Sequence, residues 1–171
     1  MLCAVNHESQ LMYSALCYEE GHNRRTQHIL KVYALAKLLG EKEGLLPEEQ
    51  QILRAAAILH DIPIKYCKAI YSGDASQENQ KKEAPQLATR FLQEADYQPS
   101  YIPQIIELIV NHHDYDGPRN RILQLLMEAD LIVNCYESSP SGERVDWIRA
   151  QFQTAPGKEL FEIFLKGAAI E

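Results

Sequence analysis

The sequence runs to 171 residues, 46% of them hydrophobic, with a formal net charge of −7 at pH 7. That length fills one core and is short for two, so a single domain over residues 1–171 is expected. The acidic balance excludes a general nucleic-acid binder, which needs clustered Lys and Arg on one face, and leaves small anionic substrates open where local cations override the global field.

The opening stretch, MLCAVNHESQLMYSALCYEEG, has no basic start followed by an apolar run and a cleavage site. No apolar run along the chain approaches the roughly 18 residues of a membrane span. The expectation is a cytoplasmic chain with no membrane partner. Cys3, Cys17, Cys67 and Cys135 are scattered with no CxxC pair, which reads as reduced thiols. Next, HILKVYALAKLLGEKEG sets Val32, Leu35 and Leu39 on one helical stripe with His28. Pro47 followed by two acids opens a helix predicted to run to Asp61, where Pro63 is expected to push Ile62 out of the α region. A short segment, Ile64 to Tyr71, precedes the loop SGDASQENQ. Helices are predicted from about Gln77 to Glu94, from about Ser100 to His113, and along RILQLLMEADLIVNCYE, with breaks at DYDGP and SSPSGE. Two shorter helices, around 145–152 and 158–168, close the chain. No alternating strand pattern and no repeat is present, so the class is all-α, a helical bundle.

Within this pattern the stretch AAAILHDIP is anomalous, because an imidazole and a carboxylate follow an apolar helix. Burying such a group without a partner costs about 2 kcal/mol or more. The same anomaly recurs. His28, His60, Asp130 and His113 each continue an apolar stripe, with His112 beside the last of them. A lone core histidine is commonly satisfied by one local partner, but this many polar groups on the inner faces of four helices would be satisfied together by a shared metal ion.

The order His28, then His60-Asp61, then Asp130 resembles the H…HD…D signature of the HD-domain superfamily, helical metal-dependent phosphohydrolases. The flanking words RTQHILKVYALAKLL, AAILHDI and EADLIVNCYE carry the likeness, which spans about residues 23–137. N- and C-terminal helices are expected to pack on that core. The resemblance implies that His28, His60, Asp61 and Asp130 ligate a divalent metal. Two-metal members carry a further histidine between the doublet and the later His pair; here Ala84-Pro85 stands there, and Glu83 is the nearest substitute to join His112 and His113 in a second site. One tight metal is therefore expected, with the second weak or filled only with substrate. Some members follow the doublet with Gly-Lys, whereas HDIPIK displaces Lys65 by one residue. Guanosine tetraphosphate hydrolases place an acidic pair soon after the doublet, and residues 62–72 contain no acid, which disfavours that substrate.

Imidazoles and carboxylates without thiolates suit Mn, Fe, Co, Ni, Zn or Mg. A water on such an ion becomes a nucleophile near neutral pH, and Asp61 would both ligate and orient it. A transferring phosphoryl group also needs positive charge. Arg24 and Arg25, one turn before His28, and Lys65, just past the doublet, are the anion contacts expected, with Lys65 assigned a catalytic part and His112 and His113 as further substrate contacts. Lys81 and Lys82 read as a solvated face, Asp114 and Asp116 as turn formers, and His7 and His22 as ordinary. The expected function is hydrolysis of a phosphate ester or anhydride of a small phosphorylated metabolite such as a nucleotide. Two rivals stand beside it: di-iron oxygenase chemistry, and a regulatory module that binds metal or nucleotide without turnover.

Overall fold

A computed structural model describes residues 7–168 of the chain. Among these residues there are nine helices and no strand: α1 (His7–Tyr18), α2 (Asn23–Lys42), α3 (Pro47–Leu59), α4 (Pro63–Ile70), α5 (Gln77–Glu94), α6 (Ile102–Asn111), α7 (Arg121–Ser138), α8 (Glu143–Gln151) and α9 (Ala155–Ala168). The helix starts follow local chemistry. The Leu46 amide donates to Glu49 Oε2 at 2.8 Å, Ser76 Oγ accepts from the Asn79 amide at 3.4 Å, and Asn120 Oδ1 accepts from the Leu123 amide at 2.8 Å.

Helices α3 and α7 form the centre. From Ala55 to Leu59 α3 is buried on every side, and so is α7 from Leu123 to Val133. Helix α2 packs on both, α6 packs on α3 and α5, and α1 lies on α3. Each fully enclosed Leu or Ile, such as Leu53, Ile58 or Leu126, contributes about 1.5–3 kcal/mol relative to exposure. Close packing of α2 on α3 depends on Gly40, where an added Cβ would lie 2.8 Å from Gln50 Oε1. A second, smaller apolar cluster joins Leu131, Ile132 and Cys135 of α7 to Ile148, Phe152 and Phe161 of the C-terminal helices. No helix among the described residues is long and apolar enough to cross a membrane. Cys17, Cys67 and Cys135 are free, and Cys3 lies outside the described residues.

The turn at the doublet differs from expectation. Helix α3 ends at Leu59, and Ile62 is not extended but right-handed helical, at φ −56 and ψ −29. Pro63 has no N–H to offer the Leu59 carbonyl, so the Ile62 amide takes that acceptor instead at 3.0 Å. With Ile62 wholly buried in the core, this bond and the burial outweigh the preference of a pre-proline residue for extended backbone. Residues 60–62 thus form a tight bend between two helices, and the short segment beyond it is the amphipathic helix α4.

Candidate metal centre and anion cleft

Four helices deliver polar groups to one place. His28 comes from the second turn of α2, His60 and Asp61 from the bend after α3, His112 and His113 from just past the end of α6, and Asp130 from the middle of α7. His28 Nε2 lies 3.1 Å from His60 Nε2 and 3.1 Å from Asp130 Oδ1, and His60 Nε2 lies 3.4 Å from that same oxygen. Asp61 spans two sides. Its Oδ2 is 3.5 Å from His28 Nε2 and 3.6 Å from His60 Nε2, while its Oδ1 is 3.7 Å from His112 Nε2. Three overlapping sets have metal-compatible spacing: His28, His60 and Asp130; His60, Asp61 and His112; and His112, His113 and Asp130.

The far nitrogens explain the convergence. His60 Nδ1 donates to the Ala57 carbonyl at 2.7 Å, His112 Nδ1 to the Ile109 carbonyl at 2.6 Å, and His28 Nδ1 to Glu137 Oε2 at 3.1 Å. Each acceptor lacks a proton, so Nδ1 carries the hydrogen and the Nε2 atoms face the centre as lone-pair donors or as sites for a further proton. Two buried atoms there, His112 Nε2 and Asp130 Oδ2, have no hydrogen-bond partner, a state that costs about 1–3 kcal/mol each. Imidazole nitrogens and carboxylate oxygens left unpaired at a shared focus fit a divalent cation.

Electrostatics agree with the geometry. Burial disfavours a charged His60, but Asp61 and Asp130 beside it prevail and push its pKa up to about 9. Burial likewise opposes charge on His28, and the bond to Asp130 overcomes it, leaving the pKa raised. Asp61 and Asp130 are held well below the usual carboxylate range: burial opposes this, and the neighbouring imidazoles outweigh it. His113 is pushed down to about 4 by burial and then by His112, so it is neutral at pH 7.

Outside this focus lies a cleft of about 230 Å³. His28 and Asp61 form its inner wall, Ile64 and Lys68 of α4 one side, and Asn134 and Glu137 of α7 the other. Arg24 and Arg25 also line it, each with an acid: Arg25 Nε sits 2.6 Å from the buried Glu19 carboxylate, and Arg24 Nε sits 3.9 Å from Glu137 Oε2. Lys65, expected at the phosphate, points elsewhere. Its ammonium donates to the Tyr18 carbonyl at 2.5 Å and lies 5.2 Å from the centre of the Tyr18 ring, which fastens the end of α1. Lys68, one turn further on, takes the place at the cleft.

Glu83 belongs to none of the three sets. Its Oε1 accepts from the Tyr71 hydroxyl at 2.5 Å, with Lys82 4.0 Å away, beside a roomier groove of about 620 Å³ between α4 and α5. His112 and His113 join the inner cluster, their rings 3.9 Å apart, and neither lines the cleft described above. Asp114 closes the turn before Gly117, whose amide donates to the Asp114 carbonyl at 3.4 Å. His7 donates to the Ala95 carbonyl at 3.0 Å. The sequence reading missed Glu137 and Lys68. The signal for Glu137 is its spacing, seven residues after Asp130 and so on the same face of α7.

A family model described as HD domain matches residues 25–135. Comparison with curated proteins and with solved structures gives no match. The matched span holds His28, the His60-Asp61 doublet, the His112-His113 pair and Asp130, and it covers well over half of the sequence. On that match, and with an all-helical fold that gathers these side chains at one focus, the chain belongs to the HD-domain family, a family of the metal-dependent phosphohydrolase type.

Proposed function

We propose that this chain hydrolyses a phosphate ester or anhydride of a small phosphorylated metabolite, with nucleotides as the first class to test. The observation that carries the reading is the meeting of two environments at Asp61: His28, His60 and Asp130 on its inner side, and a cleft bearing Arg24, Arg25 and Lys68 on its outer side. His28, His60, Asp61 and Asp130 would hold the divalent ion. When bound, that ion supplies Lewis acidity, polarising a phosphoryl oxygen and lowering the pKa of water. Asp61, with its side chain 20% exposed at the inner wall, accepts a hydrogen bond from the attacking water and aims it. Lys68 and Arg24 bind the non-bridging oxygens, and the Asn134 amide donates beside them. A second ion, bound more weakly, would draw on His112, His113 and the two aspartates instead of Glu83, since Asp61 already turns its other oxygen to His112.

The test is to purify the chain anaerobically, load it in turn with Mn, Fe, Co, Ni, Zn or Mg, and measure phosphate release from a panel of phosphorylated metabolites. Asp61→Ala and Asp130→Ala are expected to lose both tightly bound metal and turnover while keeping the far-ultraviolet circular dichroism of a helical protein. Unchanged metal stoichiometry in both variants would overturn the proposed ligand set. Oxygen uptake without phosphate release would instead favour di-iron oxygenase chemistry, and ligand binding with neither would favour a regulatory module.

A further inference from the structure

Glu137 is not among the proposed ligands, yet it joins the inner cluster to Arg24 of the cleft. Its side chain is 10% exposed, and Oε2 accepts the buried His28 Nδ1–H bond at 3.1 Å. The same oxygen lies 3.9 Å from Arg24 Nε, and Oε1 lies 3.8 Å from Lys31 Nζ. Arg24 is 77% exposed and Lys31 39% exposed, so both reach Glu137 from solvent, at distances beyond hydrogen-bond length. A carboxylate on the far nitrogen of a ligating imidazole fixes its tautomer and raises the basicity of the ligating nitrogen. Cations beside that carboxylate weaken the effect, because they stabilise the negative charge that His28 would otherwise feel.

We propose that Glu137 is a positioning residue coupling the anion cleft to the metal centre. A doubly charged anion entering the cleft draws Arg24 off Glu137, the carboxylate then acts more strongly on His28, and His28 holds the ion more tightly. The inference rests on His28 being a metal ligand. By linkage the coupling is reciprocal, so bound metal also raises the affinity of the cleft for the anion.

Glu137→Gln keeps an acceptor for the His28 N–H and removes the charge. The experiment titrates Mn(II) into the full chain, stripped with chelator, and reads free Mn(II) by electron paramagnetic resonance with and without sulfate, a soluble dianion. Glu137→Gln is expected to weaken Mn(II) binding by roughly tenfold or more at unchanged helicity. The decisive part is a double-mutant cycle. Removing both cations, Arg24→Ala with Lys31→Ala, should strengthen Mn(II) binding more in the wild-type background than in Glu137→Gln, because their direct repulsion of the ion is common to both. Additive effects, or wild-type affinity in Glu137→Gln, overturn the proposal. If Glu137→Gln loses helicity, the cation variant carries the test alone: saturating sulfate should tighten Mn(II) binding in wild type and do so much less in the variant, and an equal gain overturns the proposal. A wild-type chain that binds no divalent ion overturns the metal-ligand reading itself, a result distinct from metal binding that ignores Glu137.

Discussion

His60 shows what a fully enclosed imidazole requires. Its Nδ1 is committed to the Ala57 carbonyl, so the site acts on Nε2 alone. In the metal-free chain burial disfavours the imidazolium, yet Asp61 and Asp130 raise the pKa to about 9, against an unfolded value of about 6.5. The folded state therefore binds this proton more tightly than the unfolded state does. The stabilisation is complete below about pH 6.5 and is lost as pH rises through about 9. The depressed carboxylates of Asp61 and Asp130 work in the opposite direction, stabilising above about pH 4 and losing that contribution as pH falls through their lowered folded values. We expect the Tm of chelator-treated protein to fall between about pH 6.5 and about pH 9, with the fall suppressed by saturating divalent metal, which takes the place of the proton. Scanning calorimetry over that range tests this, and a flat metal-free Tm would show that His60 is already neutral in the folded chain.

At the scale of elements, what the sequence made legible depended on whether the cause was local. Helix α5 matches the sequence reading at both ends because Ser76 caps it and its own periodicity runs to Glu94. Helix α4 spans eight residues, too few to establish a period, and its phase depends on the backbone of Ile62 in the bend before it. That phase places Ile64 and Lys68 at the cleft and sends Lys65 to α1. The link between Glu137 and His28 spans 109 residues of sequence, so the period of α7 sets Glu137 on the face of Asp130 but does not disclose His28 as its partner. The start of α9 has a similar nonlocal cause. The buried Glu128 carboxylate of α7 accepts from the Gln153 amide at 2.7 Å, the Thr154 amide at 3.0 Å and the Thr154 hydroxyl at 2.5 Å, pinning the helix N-terminus. Gly157 leaves room for this, since a Cβ there would stand 2.0 Å from Glu128 Oε2. Gly157→Ala is therefore expected to destabilise the protein by about 2 kcal/mol or more despite the higher helix propensity of alanine. Gly167→Ala, in the same helix with nothing within 4 Å of the added Cβ, should be neutral or stabilising by up to about 1 kcal/mol. Urea unfolding of the two variants makes the comparison, and equal effects would remove the steric explanation.

Across the whole molecule, 24 acidic residues outnumber 17 basic ones, so the phosphorylated substrate proposed for this chain would approach against the mean field and would have to be held by local charge. Of the three cations at the cleft, Arg25 is paired with Glu19 and Arg24 faces Glu137, whereas Lys68 has no acidic partner among the described residues. Lys68 is accordingly the cation whose charge is most available to an incoming anion. Lys65, three residues earlier, already serves the structure by binding the last turn of α1 through the Tyr18 carbonyl. The two lysines should then separate cleanly. Lys68→Ala is expected to lower kcat/KM by about tenfold or more without change in Tm or metal content, since a charge-assisted hydrogen bond contributes about 1.5–3 kcal/mol. Lys65→Ala should lower Tm by releasing the end of α1 and leave the proposed phosphate release by the folded chain intact. Steady-state phosphate release together with thermal melts decides between them. The reverse pattern, with Lys65→Ala slow and Lys68→Ala merely less stable, would mean that α4 turns on substrate binding and presents its other lysine to the phosphate.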